Sequence, residues 1–459
     1  MKNKFLLLLI SVILIIGLNA CSLQKDNNED KMDGASQELT VLSWSNSHVE
    51  RVVSKFSSLY PGIQIKHKRY FDGDEGGIIK KTVTELMSGK GPDILILRAQ
   101  DFPNVHKMLD NNTFYDLDKL IKNDESFKID QYNKIALDSG IYEGKRYLMP
   151  LYFNIPVMFT TRSFFTNQGF SIPEGGITWT GLAQMSKKFL NNNNNKGKYL
   201  FSYDFNFENL IQGSYMKFID YSKRKSSFDS TEFINLLKIY KELQPAVCPG
   251  EIAKKANVVE LLTKGTIGIM QDNKPIEVSS LLILNSCCRQ YMGEDMYMIP
   301  FPSDKQKENI TGNVRVLAGI NANCSKPQEA FKFLTLLLSK DNQIPYVNDR
   351  LNTNYVKGCS INIEAWKEEL RHYMNGKFEK REDTVIDDGG SIKFTTSPLS
   401  PDIGTKADQL YNSMTRADIN DYRVLTILNE GTRDFLTGKI SAEQAAKDIN
   451  QKIMLYLNE

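Results

Sequence analysis

The chain has 459 residues, 41% hydrophobic and 24% charged, which excludes a mainly disordered chain, a fibre or a small disulfide-stapled scaffold. At about 150 residues per domain, that length predicts two or three domains. Lys+Arg number 57 and Asp+Glu 55; without residues 1–20, which hold Lys2 and Lys4 and no acid, the balance is 55 against 55. A net charge near zero gives no long-range reason to bind nucleic acid or acidic lipid.

The N-terminus carries the most specific short signal. Lys2 and Lys4 precede an apolar run over residues 5–16 that only Ser11 interrupts. Those twelve residues are too few to span a bilayer core of ~30 Å, which needs about 20. They suit the apolar region of a secretory signal. Leu18-Asn19-Ala20-Cys21 then looks like a bacterial lipobox, with Asn19 larger than is usual at its position. Signal peptidase II would cut before Cys21, whose thiol would carry diacylglycerol. Residues 21–38 are polar, with too little apolar surface to fold. The expectation is a lipoprotein signal peptide over 1–20, a lipid anchor at Cys21 and a flexible tether over 21–38. The protein is expected outside the cytoplasm, held at the cell membrane.

Beyond the tether, strand and helix patterns alternate. Residues 39–44 (Leu-Thr-Val-Leu-Ser-Trp) form a β-rich run, and 49–60 place Val49, Val52, Val53, Phe56 and Leu59 at helical spacing. Pro61-Gly62 stops that helix, and Ile63-Gln64-Ile65-Lys66 alternates as a strand should. Residues 78–87 predict a second helix. Gly91-Pro92 precedes Asp93-Ile94-Leu95-Ile96-Leu97, a continuous apolar run typical of a buried parallel strand. This order predicts a doubly wound α/β domain, whose ligands sit beyond the carboxyl ends of the strands. That rule singles out residues 44–47 and 98–101. Farther on, 144–150 predict a turn and a strand, and 179–190 a helix capped near Thr178 or Thr180. Residues 191–195 are a five-Asn surface loop. A helix over 228–243, strands over 266–270 and 296–300, and helices over 328–338 and 440–457 complete the series. No internal repeat occurs.

Few residues suit catalysis. The four histidines are His48, His67, His106 and His372, and none lies in H-E-x-x-H. Neither G-x-S-x-G nor G-x-x-x-x-G-K-[ST] is present. Asp26, Asn28 and Asp30 imitate the start of a calcium loop, but its sixth position is Lys31 rather than Gly. Carboxylates are plentiful, so counting alone leaves a glycosidase pair open. Five cysteines besides Cys21 (Cys248, Cys287, Cys288, Cys324, Cys359) show no C-x-x-C and no zinc-ligand spacing. Free buried thiols are preferred over one disulfide. The expectation is a binder without enzymatic activity, cofactor or metal.

Seven blocks in order carry a resemblance. They are Tyr60-Pro61-Gly62-Ile63-Gln64-Ile65, Gly91-Pro92-Asp93-Ile94, and residues 142–150, which resemble Y-x-G-K-x-Y-x-x-P. Residues 178–182 resemble T-W-x-x-L, and Lys264-Gly265-Thr266-Ile267-Gly268-Ile269-Met270 resembles x-G-x-x-A-M. Residues 330–343 and 438–457 match the closing helical blocks. Together they resemble the bacterial extracellular solute-binding proteins of family 1, the carbohydrate-binding lipoproteins of ABC importers. One departure is Phe159-Thr160-Thr161, where the family usually has Tyr-Tyr-Asn.

The resemblance implies a two-lobed, periplasmic-binding-protein-like α/β fold that closes on its ligand like a Venus flytrap. Lobe one is expected over 39–153 plus 316–354, and lobe two over 154–315 plus 355–459. The implied partners are a small carbohydrate and the membrane subunits of an ABC importer, with the protein itself a monomer. A non-sugar solute, or sensing through a membrane kinase, would use the same fold. Sugars present apolar C–H faces, which rings cover, and hydroxyls, which Asp, Asn, Gln and Arg bind. The candidate ligand contacts are Trp44 after the first strand, Arg98 and Asp101 after the third, and Tyr152 and Asn154 at the first crossing. Asn206 and Phe207, Asp272 and Asn273, and Arg315 at the second crossing complete the set. Trp179 and Trp366 are expected to pack in the interior.

Overall fold

Eleven strands build two main sheets. In chain order they are β1 (Gln37–Trp44), β2 (Ile63–Tyr70), β3 (Ile94–Arg98), β4 (Leu148–Asn154), β5 (Val157–Thr161) and β6 (Tyr199–Phe201). Then come β7 (Ile267–Asp272), β8 (Met296–Pro300), β9 (Ile310–Ile320), β10 (Cys359–Ser360) and β11 (Met414–Asp418). The computed structural model describes residues 37–44, 47–70, 75–102, 105–173, 176–203, 205–213, 217–272, 278–303, 310–344, 358–376, 382–387 and 390–459. Cys21 and the mimic of a calcium loop lie outside them.

The larger sheet has the order β10-β4-β9-β3-β1-β2, with β11 paired to β9. β1 and β3 run parallel, with Val41 opposite Ile94 and Ser43 opposite Ile96. Helix Ser47–Leu59 follows β1 and helix Glu75–Met87 follows β2, the alternation the sequence predicts. Along β3, Ile94 and Ile96 enter one core while Leu95 and Leu97 enter another. A strand covered on both faces needs an unbroken apolar run. That is why the run over 93–97 does not alternate.

The smaller sheet, β8-β5-β7-β6, is also covered on both faces. Met158, Ile269 and Ile299 pack against helices Trp179–Leu190, Thr231–Leu243, Tyr422–Leu436 and Ala442–Asn458. Val157, Phe159, Met296 and Met298 face the first core instead. Phe159, where the family's tyrosine is missing, is therefore a packing residue. The chain passes between the sheets three times, and the crossings align: Asn154 pairs with Asn313, and Asn313 with Asp418. Residues 355–459 touch both sheets. β10 pairs with β4, and helix Pro401–Asn412 meets β8.

Trp366 and Tyr411 stack in the first core, 4.8 Å apart at 7°, and Trp179 is 1% exposed. Both tryptophans pack as expected. Thr178 caps the Trp179–Leu190 helix by accepting from Gly181 N at 3.0 Å. The five-Asn segment is not wholly a surface loop. Asn195 is buried and donates to Phe189 O at 3.0 Å and Gln168 Oε1 at 2.9 Å. No disulfide joins the five cysteines among the described residues, and all five are buried.

Candidate ligand-binding site

The carboxyl ends of β1 and β3 lie side by side, because those strands are parallel neighbours. Trp44 ends β1 half-buried, and Arg98 ends β3 with its guanidinium 5.0 Å from the centre of the Trp44 ring. That distance is within the range of cation–π attraction. Asp101 closes a short 3-10 turn after β3. It accepts from Arg98 Nε at 2.5 Å and Nη2 at 3.0 Å, and from the hydroxyl of buried Tyr70 at 2.6 Å. Arg315 lies on β9 beside Val316, the residue opposite Arg98. Tyr422, which packs against the same core as Trp44, feels Arg315, Glu208, Asp101 and Arg98, and burial is the main force raising its phenol.

The other expected contacts separate. Asn206 caps helix Phe207–Gly213 through a reciprocal pair: its Oδ1 accepts from Asn209 N, and its N donates to Asn209 Oδ1. Phe207 is 1% exposed and packs on Phe233 and Tyr240 in the second core. Tyr152 is 2% exposed, and its hydroxyl bonds His48 Nδ1 at 3.0 Å. Asn154 is buried at the first crossing, and its Oδ1 has no partner. Asp272 ends β7 opposite Val157. Asn273 lies outside the described residues.

Sequence reasoning missed Tyr70, Glu208 and Tyr422, which are distant in the chain and follow no motif. It also missed a cavity of about 450 Å3 beside the third crossing. His106, Ser139, Ile211, Tyr221, Asp418 and Asn420 are among its walls. His106 stacks on Tyr221 at 3.4 Å and 15°, and its two ring nitrogens are buried without a partner. Nearby, Asp110 accepts from Tyr142 at 2.5 Å and pairs with Arg224 at 3.4 Å. Tyr142 and Arg224 sit on two facing hairpins, whose turns hold Glu143 and Arg224 at φ 48° and 51°. Tyr221 and Tyr456 both donate to Asp421. Burial raises the Asp421 carboxyl despite these donors.

Burial lowers His106 to about 4, against a smaller opposing pull from Asp110. It lowers His48 to about 3. Both imidazoles are therefore neutral near pH 7, and the unfolded chain binds protons first as pH falls. Their contribution to stability is complete above about 6.5 and fades as pH drops toward the folded values. Melting temperature should fall between pH 7 and 5.5, and fall less in His106→Phe. An equal fall in both proteins would show that His106 is not held neutral.

No group of His, Cys, Asp and Glu among the described residues could hold a metal ion. No helix among them is long and apolar enough to cross a membrane. The arrangement gathers a ring, a guanidinium and a carboxylate at the carboxyl ends of β1 and β3. The family described as bacterial extracellular solute-binding protein matches residues 51–368. The chain belongs to that family.

Solved structures similar to this solute-binding protein share its fold at low identity. MalE, the sugar-binding protein from Xanthomonas citri, matches with a TM-score of 0.65 at 13% identity, over 92% of this chain and 98% of its own. The ABC substrate-binding protein Lmo0181 from Listeria monocytogenes, in complex with cycloalternan, gives 0.59 at 16%, over 92% and 99%. The cyclic alpha-maltosyl-1,6-maltose binding protein from Arthrobacter globiformis gives 0.60 at 16%, over 92% and 98%. No curated protein matches the chain. The fold is the two-lobed α/β fold of periplasmic binding proteins. Its family places the solute-binding protein outside the cytoplasm.

Proposed function

We propose that this protein captures a carbohydrate between its lobes and delivers it to the membrane subunits of an ABC importer. The observation that carries this reading is Trp44, half-buried at a strand end beneath Arg98. A ring there can cover the apolar face of a sugar, while Arg315 and Glu208 supply donors and acceptors for hydroxyls. The similar Listeria protein, in complex with cycloalternan, and the cyclic alpha-maltosyl-1,6-maltose binding protein from Arthrobacter support the same class. The lobes would meet at the aligned crossings Asn154, Asn313 and Asp418. Closure would follow because ligand touches both lobes and so favours the closed form.

A thermal-shift panel of mono- and oligosaccharides, including cycloalternan, tests this together with a product assay. A rise in melting temperature without hydrolysis supports the reading. Product formation, or shifts only with non-sugar solutes, rejects it.

Cys21 would carry the lipid anchor, and the polar residues after it would serve as the tether. Cys21→Ala should move the protein from the membrane fraction to the medium, or block its processing. Unchanged processing and fractionation of the variant would remove the anchor assignment.

A further inference from the structure

Three of the roughly four acceptor positions of the Asp101 carboxylate are taken within the protein. Its Oδ2 accepts from Arg98 Nε and the Tyr70 hydroxyl, and its Oδ1 accepts from Arg98 Nη2. The Asp101 side chain is 5% exposed and that of Arg98 is 15% exposed. A sugar hydroxyl would find only the second lone pair of Oδ1 open, on a side chain this closely covered. Tyr70 is fully buried at the end of β2, and its hydroxyl also meets the Arg98 backbone. One hydroxyl thus ties the edge strand, the turn and the end of β3 together. The guanidinium fixed by this network lies across Trp44.

We propose that Asp101, held by Tyr70, is a positioning residue that locks Arg98 over Trp44 and so sets the ring before solute arrives. The inference rests on Trp44 being a solute contact only for its effect on affinity; the lock itself is independent of that reading. An indole ordered in advance loses less conformational freedom on binding, which favours affinity without adding a contact. Replacing Asp101 loosens two side chains at once. Arg98 loses its fork partner, and Trp44 loses the cation that holds its plane.

The chain has three tryptophans. Trp179 and Trp366 are each 1% exposed, so collisional quenching by acrylamide reports on half-buried Trp44. In the unliganded protein, Asp101→Asn and Tyr70→Phe should each raise the quenching constant and shift emission to the red. Trp44→Phe should abolish the quenchable part. Tyr70→Phe removes one oxygen and keeps the ring, so it serves as the test should Asp101→Asn fold poorly. Unchanged quenching in the folded variants would overturn the lock.

Affinity for cycloalternan then separates positioning from contact. Asp101→Asn should weaken binding in the wild-type background and add less than about twofold in Trp44→Ala, because members of one network are not additive. Full additivity would make Asp101 a direct contact and overturn the proposal. Altered quenching with unaltered affinity would keep the lock and reject Trp44 as a solute contact.

Discussion

Gly140→Ala should destabilise the protein by about 3 kcal/mol or more, at the upper end of what overpacking costs. A Cβ on Gly140 would stand 1.9 Å from the Leu148 carbonyl oxygen and 2.8 Å from its carbon. Both are backbone atoms, so no rotamer change relieves the clash. The strand cannot retreat either, because Gly140 O accepts from Tyr147 N at 3.1 Å and Leu148 N at 3.3 Å. The damage would fall between the hairpin carrying Tyr142 and the start of β4, beside the facing hairpin of Arg224. Gly144→Ala is the control. Gly144 sits at φ 78° with nothing near its absent Cβ, so only left-handed strain of about 1–2 kcal/mol applies. Differential scanning calorimetry should rank Gly140→Ala well below Gly144→Ala in melting temperature. A Gly140→Ala protein that melts like wild type would show that the close approach to Leu148 is wrong.

Trp44→Ala should weaken carbohydrate binding by roughly tenfold or more. Ring contact with a sugar face adds about 0.5–1.5 kcal/mol beyond buried area, and loss of the area itself adds to that. Tenfold corresponds to about 1.4 kcal/mol. Apo stability should change little by comparison, since Trp44 is half-buried and its indole makes no hydrogen bond among the described residues. Titration calorimetry with the best sugar from the panel measures the loss, and the ligand-induced rise in melting temperature should shrink with it. A variant that melts lower while keeping its affinity would make Trp44 a packing residue.

The distinction between packing and contact is where reading the chain met its limit. Trp44, Arg98 and Asp101 were singled out because each lies at the end of a strand that the open-sheet rule marks, and the structure brings the three side chains together. Tyr152 was chosen for its place at the first crossing and Phe207 for the aromatic-rich stretch around it, and both belong to cores. Asn206 looked like a hydroxyl-binding group and serves as a helix cap. In a strand one residue's shift reverses the face, and in a helix three or four residues decide it. Neighbouring positions therefore take opposite roles without a change in composition.

The chain by itself determined the alternation of strands and helices, because hydrophobic period, Pro-Gly stops and capping residues act within about a dozen residues. The unbroken run ending in Ile94-Leu95-Ile96-Leu97 already required a strand covered on both faces, and the ordered blocks already indicated the family. Only the tertiary structure decided that Tyr70, Asp101, Arg98 and Trp44 share one network. Only it set His106 against Tyr221 and Tyr422 among Arg98, Arg315 and Glu208. Apart from Arg98 and Asp101, which are 3 residues apart, those partners lie tens to hundreds of residues apart. They meet because strand pairing and the three crossings fix their places, and no local pattern records a pairing between distant segments.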